Sequence, residues 1–160
     1  GGSADLTRYP ARQGFEDLVM LVNEQGEAPF AWTACVLDGY VWFSLKKTCD
    51  FPATLFWISN GGRHSEPWNG RHLKRLGLEE VCSYFCDDVE ISRRDLLAQE
   101  GIPTTRAFDG LPVSLKLIHA VALVSDRFDL VTEILPGEGF VELVSQSGVR
   151  VEVPLEWEFL

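Results

Sequence analysis

A polar segment that runs from Asn60 to His72 contains the side chains with the clearest chemical potential. It reads Asn-Gly-Gly-Arg-His-Ser-Glu-Pro-Trp-Asn-Gly-Arg-His and follows the strongly apolar residues 55–58. Proteins bind sugars with an aromatic face against the C–H groups of the ring and with planar polar groups that fork onto neighbouring hydroxyls. The segment supplies this set, so it predicts a sugar site. The candidate residues are Asn60, Arg63, His64, Trp68 and Arg71.

The same segment also fits a plain solvated loop. In that interpretation its glycines permit positive φ angles and Trp68 covers one end of the fold. A metal site is a third interpretation, but the spacing of His64, Glu66 and His72 matches no metal motif. Cys82 and Cys86 likewise depart from the zinc deaminase signature in their spacing and in lacking a preceding proline. We therefore expect no metal and no cofactor.

A carboxylate in the next apolar stretch is the candidate general base. Glu79 is flanked by Leu76, Leu78 and Val81. If it faces a pocket, partial burial raises its pKa towards neutrality, as a general base requires. Because neighbouring residues on a strand point to opposite faces, either Glu79 or Glu80 must point outward. Which of the two faces a pocket stays open at this level.

The elements that position these residues are mainly β-strands. From Val149 to Phe159 the odd positions are apolar and several even ones charged, a period of two that predicts a half-buried antiparallel strand. Pro154 indicates an edge or a bulge. Asp38-Gly39 predicts a tight hairpin. Further strands are expected at 18–23, 30–37, Tyr40–Lys46, 53–59, 113–124, 128–134 and 140–144.

One short helix is expected after these central strands. Ser92 and Asp95 fit a capping box, residues 96–98 continue it, and Gly101 with Pro103 ends it. His119 falls in an apolar odd-numbered set and is expected to be a hydrogen-bonded core residue. Many short strands without alternating helices predict an all-β antiparallel β-sandwich with one short helix.

Length and charge limit the function classes. The chain has 160 residues, enough for one domain (1–160), and a net charge of −10, which argues against nucleic-acid or anionic-membrane partners. Gly1 to Ser3 carry no feature of an export signal, so we expect a cytoplasmic protein.

The four cysteines are expected to be free and mostly buried. They are Cys35, Cys49, Cys82 and Cys86.

Residues 55–63 and 76–80 together resemble the late part of aldose 1-epimerases, the galactose mutarotase-like proteins. In that family a strand ending in a polar Gly-Asn-like turn leads to a Gly-x-x-Leu-Glu-type strand that carries the catalytic base, and Glu79 occupies the matching position. Residues 6–12, Ser92 and 101–104 extend the resemblance over most of the chain. The resemblance implies a β-supersandwich in which a carboxylate takes the C1 hydroxyl proton of a sugar while a histidine protonates the ring oxygen.

The chain departs from the family pattern because it is shorter and lacks a His-x-Tyr-Phe type motif. We therefore expect it to correspond to the C-terminal half of a supersandwich, with His64 as a replacement acid among the alternatives. A second copy or a partner chain is expected to cover the apolar surface where the other half docks. The leading function is sugar binding with anomer interconversion. The alternatives are a non-catalytic carbohydrate-binding module and a structural or interaction domain.

Overall fold

Nine β-strands and one short α-helix form the regular structure in a computed structural model that describes residues 5–10, 12–24 and 26–160. The strands are β1 (Phe15–Val22), β2 (Ala31–Leu37), β3 (Tyr40–Lys46), β4 (Ala53–Asn60), β5 (Arg75–Val81), β6 (Leu117–Leu123), β7 (Val131–Gly137), β8 (Phe140–Ser145) and β9 (Arg150–Pro154). The helix α1 is Val89–Ser92, and 3-10 turns lie at Ala98–Glu100 and Trp157–Phe159. Gly1 to Ser3 and Ala11, used in the sequence analysis, lie outside the described residues.

The strands form three antiparallel sheets, which confirms the all-β fold class with a small helix. Their orders are β1-β4-β5, β2-β3-β6 and β7-β8-β9. The chain divides into two units by its internal contacts. Unit 1 comprises residues 1–22 and 53–106 and holds the first sheet, whereas unit 2 comprises residues 23–52 and 107–160 and holds the other two. The single domain over 1–160 stays a prediction.

Unit 2 is a sandwich of two sheets around an apolar core. On β3 the alternate residues Val41, Phe43 and Leu45 are fully buried. They share one cluster with Val141 and Leu143 of β8, from the other sheet. Each such side chain contributes about 1.5–3 kcal/mol through burial. The remaining members of the cluster are Phe30, Phe128, Val131 and Ile134.

The hairpins of unit 2 follow the sequence signals. Leu37 pairs with Tyr40 across Asp38-Gly39, as predicted, and Gly39 adopts a φ of 80°.

The strand β9 lies at the edge of its sheet, and Val151 and Val153 pack towards the core while Arg150 is exposed. It is shorter than expected, because it ends at Pro154 and the chain turns at Trp157–Phe159. The Trp157 indole donates a hydrogen bond to the Gly137 carbonyl at 2.7 Å.

The core position predicted for His119 is wrong. Ala120 of β6 pairs with Phe43, so the even-numbered residues of β6 face the core and the odd-numbered ones face away. His119 is exposed, and its ring makes a T-shaped contact with that of Trp42, with 5.3 Å between the ring centroids. Because β6 has apolar residues on both faces, its sequence pattern could not select the inner one. Val121 and Leu123 are therefore 59% and 85% exposed.

The predicted position of the helix is also wrong. Helix α1 begins earlier, because the Asp88 side chain accepts a hydrogen bond from the Ile91 amide at 3.0 Å and caps it. Asp95 has a φ of 48°, which ends any helix there, and its carboxylate accepts a hydrogen bond from the Thr104 amide instead. Gly101 does provide the predicted stop, with a φ of 74° after the 3-10 turn.

The cysteines are free thiols, but only two of the four are partly buried. Cys35 and Cys82 are half-buried, whereas Cys49 and Cys86 are exposed. The expectation that the cysteines are mostly buried is therefore wrong for the second pair. Within the described ranges, no helix has the length and apolar character needed to cross a membrane.

Unit 1 is built on a sheet in which β4 is the central strand. Glu16 of β1 lies opposite Ser59, and Leu18 lies opposite Trp57. On the other side, Trp57 lies opposite Gly77 of β5 and Leu55 lies opposite Glu79. Since side chains alternate along strands, one face of this sheet carries a row of these residues across all three strands. The row includes Glu16, Leu18, Met20, Leu55, Trp57, Ser59, Arg75, Gly77 and Glu79.

Candidate functional site

The segment after β4, which we call the Trp68 loop (residues 61–74), is closed by backbone hydrogen bonds. The Gly61 amide donates to the His72 carbonyl at 2.8 Å, and the Gly70 amide donates to the Arg63 carbonyl at 2.7 Å. Gly62 allows the loop to lie against β1, because a Cβ at this position would stand 2.3 Å from the backbone nitrogen of Glu16. The loop therefore folds back over the first residues of β1.

Asn60 links the segment before β1 to the end of the Trp68 loop. Its side-chain amide donates to the Arg12 carbonyl at 2.7 Å, and its side-chain oxygen accepts from the Lys74 amide at 3.2 Å. Asn60 is 7% exposed and lies on the face of β4 opposite to that of Ser59. Its contact with a sugar stays a prediction, since the structure gives this amide an anchoring role.

The carboxylate of Glu16 is the centre of a hydrogen-bonded group on the other face. It accepts hydrogen bonds from the Trp57 indole and from the Ser59 hydroxyl, each at 2.5 Å. The Nε of Arg63 lies 3.4 Å from the same carboxylate. Burial alone would raise the pKa of Glu16, but these hydrogen bonds and the Arg63 charge together hold it below its ordinary value. Glu16 is therefore an ionised acceptor at neutral pH.

His72 is held by the same network through Ser59. The Ser59 Oγ lies 2.7 Å from Nδ1 of His72. A hydroxyl has one proton, and the ionised Glu16 can only accept, so the Ser59 proton is directed to Glu16. The other acceptor near Ser59, the His72 carbonyl, is at 3.5 Å. Ser59 Oγ therefore accepts from Nδ1–H, which leaves Nε2 as the nitrogen that can gain or lose a proton.

Two indoles and a guanidinium surround this imidazole. The Trp57 ring stacks on His72 with 5.4 Å between centroids and 27° between planes, and the Trp68 ring lies 4.8 Å from His72. Arg63 lies over both indoles, at 4.6 Å from Trp57 and 5.3 Å from Trp68. These contacts combine cation–π attraction with ring packing. We call this group the Glu16–His72 cluster: Glu16, Trp57, Ser59, Arg63, Trp68 and His72.

Glu79 belongs to the same face of the sheet, and Glu80 does not. A Cβ on Gly77 would stand 3.2 Å from Cε3 of Trp57 and 3.5 Å from Oε1 of Glu79, so the carboxylate and the indole share the space above Gly77. Glu79 is exposed, whereas Glu80 is half-buried and accepts a hydrogen bond from the Thr54 hydroxyl at 2.7 Å. The structure thus places Glu79 beside the cluster.

The other predicted residues of the loop lie outside the cluster. His64 is exposed, and its Nδ1 is 3.9 Å from where a Cβ of Gly70 would stand. Arg71 donates to the carbonyls of Pro67 at 3.0 Å and Trp68 at 3.4 Å, so its guanidinium is turned back onto its own loop. The structure brings Arg63, Trp68 and Glu79 to one face, and leaves His64 and Arg71 on the loop surface.

The sequence pattern did not indicate the roles of Glu16 and Ser59, and it pointed to His72 only as a possible metal ligand. Glu16 and Ser59 are 43 residues apart and meet only through the pairing of β1 with β4. The one local signal was a carboxylate at the start of an apolar strand, which is equally typical of a solvated strand end. Over 5–10, 12–24 and 26–160, no three His, Cys, Asp or Glu side chains converge as metal ligands.

The chemistry available at this face is that of an ionised carboxylate, an oriented imidazole, a guanidinium and two indoles. Such a set suits a small polar ligand with one apolar face. Comparison with known proteins returned no matching family model, no matching curated protein and no matching solved structure. The assignment of a function therefore depends on the residues and geometry of unit 1.

Proposed function

We propose that unit 1 is a carbohydrate-active, aldose-epimerase-like unit that binds a sugar on the face carrying the Glu16–His72 cluster. One observation carries this proposal: two indoles, a guanidinium, an imidazole and the exposed carboxylate of Glu79 are grouped over one face of the sheet of unit 1. Trp68 is 37% exposed, so part of its side chain is accessible to a ligand. The C–H face of a pyranose packs on such a ring, and its hydroxyls bind the charged groups around it.

Anomer interconversion is the reaction that we propose for this site. Glu79 removes the proton from the C1 hydroxyl, the bond between C1 and the ring oxygen breaks, and an acid protonates the ring oxygen. Rotation of the resulting aldehyde about the C1–C2 bond, followed by the reverse proton transfers, closes the ring as the other anomer. Glu79 supports this role because its carboxylate lies beside the Trp57 indole. General acid–base catalysis of this kind contributes about 10²- to 10⁴-fold to a rate.

A non-catalytic carbohydrate-binding module is the second candidate. The exposure of Trp68, and of Glu79 on an open strand, favours it, because binding modules present an aromatic ring on an accessible face whereas general bases are usually screened from water. The two candidates share the binding residues and differ only in turnover.

Binding and turnover are measured on the same samples. We expect glucose or galactose to shift the indole N–H signals of Trp57 and Trp68 in ¹H–¹⁵N NMR spectra, and the shifts to disappear in Arg63→Ala but not in the unit 2 control Arg150→Ala. Exchange of α and β anomers is then followed by NMR in wild type, Glu79→Gln and the neighbouring control Glu80→Gln. Loss of acceleration only in Glu79→Gln supports the epimerase, and shifts without acceleration support the module. The absence of shifts with every sugar contradicts both.

The partner and location complete the proposal. We infer that the ligand is an uncharged sugar, since the net charge of −10 disfavours polyanions. A cytoplasmic location is part of the same proposal. We also propose that a second copy or a partner chain completes the supersandwich. Sedimentation of the purified chain at increasing concentration distinguishes self-association from a need for a different partner.

A further inference from the structure

We infer that His72, and not His64, is the acid at this site, and that Ser59 and Glu16 are its positioning residues. The inference depends on the proposed sugar chemistry, and it adds the identity of the group that protonates the ring oxygen. The Ser59 Oγ lies 2.5 Å from Oε1 of Glu16 and 2.7 Å from Nδ1 of His72. A continuous hydrogen-bonded chain therefore runs from a carboxylate to an imidazole.

The chain fixes which nitrogen exchanges protons. Because Ser59 Oγ accepts from Nδ1, Nδ1 keeps its proton in both the neutral and the charged imidazole. Only Nε2 changes its protonation state, and among the described residues no hydrogen bond is made to Nε2. His72 is thus equipped to deliver a proton from Nε2.

The position of the ring agrees with this role. His72 stacks on the Trp57 indole, and Glu79 Oε1 lies beside the same indole above Gly77. Their anchoring points on β4, Ser59 and Leu55, are separated by about 13 Å along the strand. Both side chains extend from those points towards Trp57. The imidazole therefore approaches the Trp57 indole from the side of Ser59 and the carboxylate from the side of Leu55, an arrangement that suits an acid and a base around one sugar ring.

His64 lacks each of these features. It is exposed, it lies beside Gly70, and within the described part of the chain no hydrogen bond orients its ring. A general acid must be held within hydrogen-bond reach of the atom that it protonates, and a freely rotating surface imidazole is not held there.

Each turnover returns the protons to where they started. Nε2–H of the charged His72 gives its proton to the ring oxygen as the C1–O bond breaks, while Glu79 takes the proton of the C1 hydroxyl. After rotation of the aldehyde, Glu79 returns its proton to the carbonyl oxygen as the ring oxygen attacks C1, and Nε2 takes back the ring-oxygen proton. No oxidant, reductant or other reactant is consumed.

The first test compares anomer exchange in His72→Gln and His64→Gln. We expect kcat to fall about 100-fold or more in His72→Gln with little change in KM, because a general acid acts on the transition state. We expect His64→Gln to match wild type. Ser59→Ala is expected to lower kcat about tenfold, since it removes the acceptor that orients the imidazole but leaves the imidazole in place.

The split between kcat and KM separates positioning from stability. In Ser59→Ala we expect kcat to fall while KM and the sugar-dependent NMR shifts stay as in wild type. A purely structural serine would change the free energy of unfolding and leave the kcat of the folded protein unchanged.

The tautomer of His72 is measured independently in the wild-type protein. We expect ¹⁵N chemical shifts to show a protonated Nδ1 and an unprotonated Nε2 in the neutral ring. The opposite tautomer overturns the inference without recourse to any variant. Wild-type turnover that survives His72→Gln also overturns it and leaves the epimerase standing. Sugar binding without turnover in wild type overturns the acid role and the epimerase but leaves the binding site, and the absence of binding removes the proposed function itself.

Discussion

The two units of the chain use their interior positions differently. In unit 2, Val41, Phe43 and Leu45 on one strand and Val141 and Leu143 on another are fully buried against each other. In unit 1 the central strand β4 ends in polar residues, and the side chain of Ser59 is fully buried in a hydrogen-bonded group with Glu16 and His72. The first arrangement maximises apolar burial, whereas the second depends on every polar atom having a partner.

This difference agrees with the place in unit 1 where we propose that function is concentrated. An apolar core tolerates changes of shape as long as its volume is filled, but a polar network fails when one member is lost. Proteins keep such networks mainly where groups must be held in a fixed orientation. The Glu16–His72 cluster is such a place, and the core of unit 2 is not. The following predictions test this comparison.

The largest effect is expected in the core of unit 2. Phe43→Ala removes a fully buried ring and is expected to lower the free energy of unfolding by about 3–5 kcal/mol, through lost transfer energy and the cavity left behind. Denaturant unfolding measures the change. The control is Phe108→Ala, because Phe108 is 77% exposed. Equal effects of the two variants would mean that the core of unit 2 is not the main source of its stability.

The next effect concerns backbone contact in unit 1. Gly62→Ala would place a Cβ 2.3 Å from the Glu16 nitrogen, so the Trp68 loop must move away from β1. We expect a loss of about 3 kcal/mol, the upper part of the range for overpacking, together with loss of the sugar-dependent NMR shifts. Gly26→Ala is the control, since a Cβ there meets nothing within 4 Å. If Gly62→Ala were as mild as Gly26→Ala, the loop would not depend on that contact.

A smaller and pH-dependent effect is expected at Glu16. The pKa of Glu16 is lowered on folding, because its hydrogen bonds and Arg63 outweigh the effect of burial. The carboxylate therefore stabilises the folded state above the ordinary carboxyl pKa of about 4.3, and this contribution is lost as the pH falls through the lower folded value. Glu16→Gln should cost about 1.5 kcal/mol at pH 7 and flatten the acid side of the stability curve. An unchanged acid side would show that Glu16 is not the titrating group.

The smallest effect compares one arginine from each unit. Arg63 lies over two indoles and beside Glu16, and Arg63→Ala is expected to cost about 1 kcal/mol. Arg150 pairs with Glu142 on the surface at 2.5 Å, with its own side chain 56% exposed, and Arg150→Ala is expected to cost less than about 0.5 kcal/mol. Thermal unfolding of both variants at low and high salt makes the comparison. A reversed order would contradict a structural role for the Arg63 stack.

Local sequence signals located the strands well where a strand has one wet and one dry face. The strand Tyr40–Lys46 and the turn at Asp38-Gly39 occur as expected, and the alternation beginning at Val149 gives the correct inner face of β9. The helix was misplaced because Ser92 and Asp95 fit a capping pattern, although Asp95 binds Thr104 from a non-helical backbone. Hydrogen bonds between segments outweighed a local preference there.

For the candidate site, the sequence by itself determined the chemical inventory: a polar loop with one tryptophan after an apolar strand, and a carboxylate on the strand that follows. Alternation along β5 also required that only one of Glu79 and Glu80 face the site. Only the tertiary structure decided that Glu79 is that residue, and that Glu16, Ser59 and His72 form one hydrogen-bonded chain. The physical reason is that strand register between β1, β4 and β5 sets these contacts, and register depends on packing across the whole sheet rather than on any local run of residues.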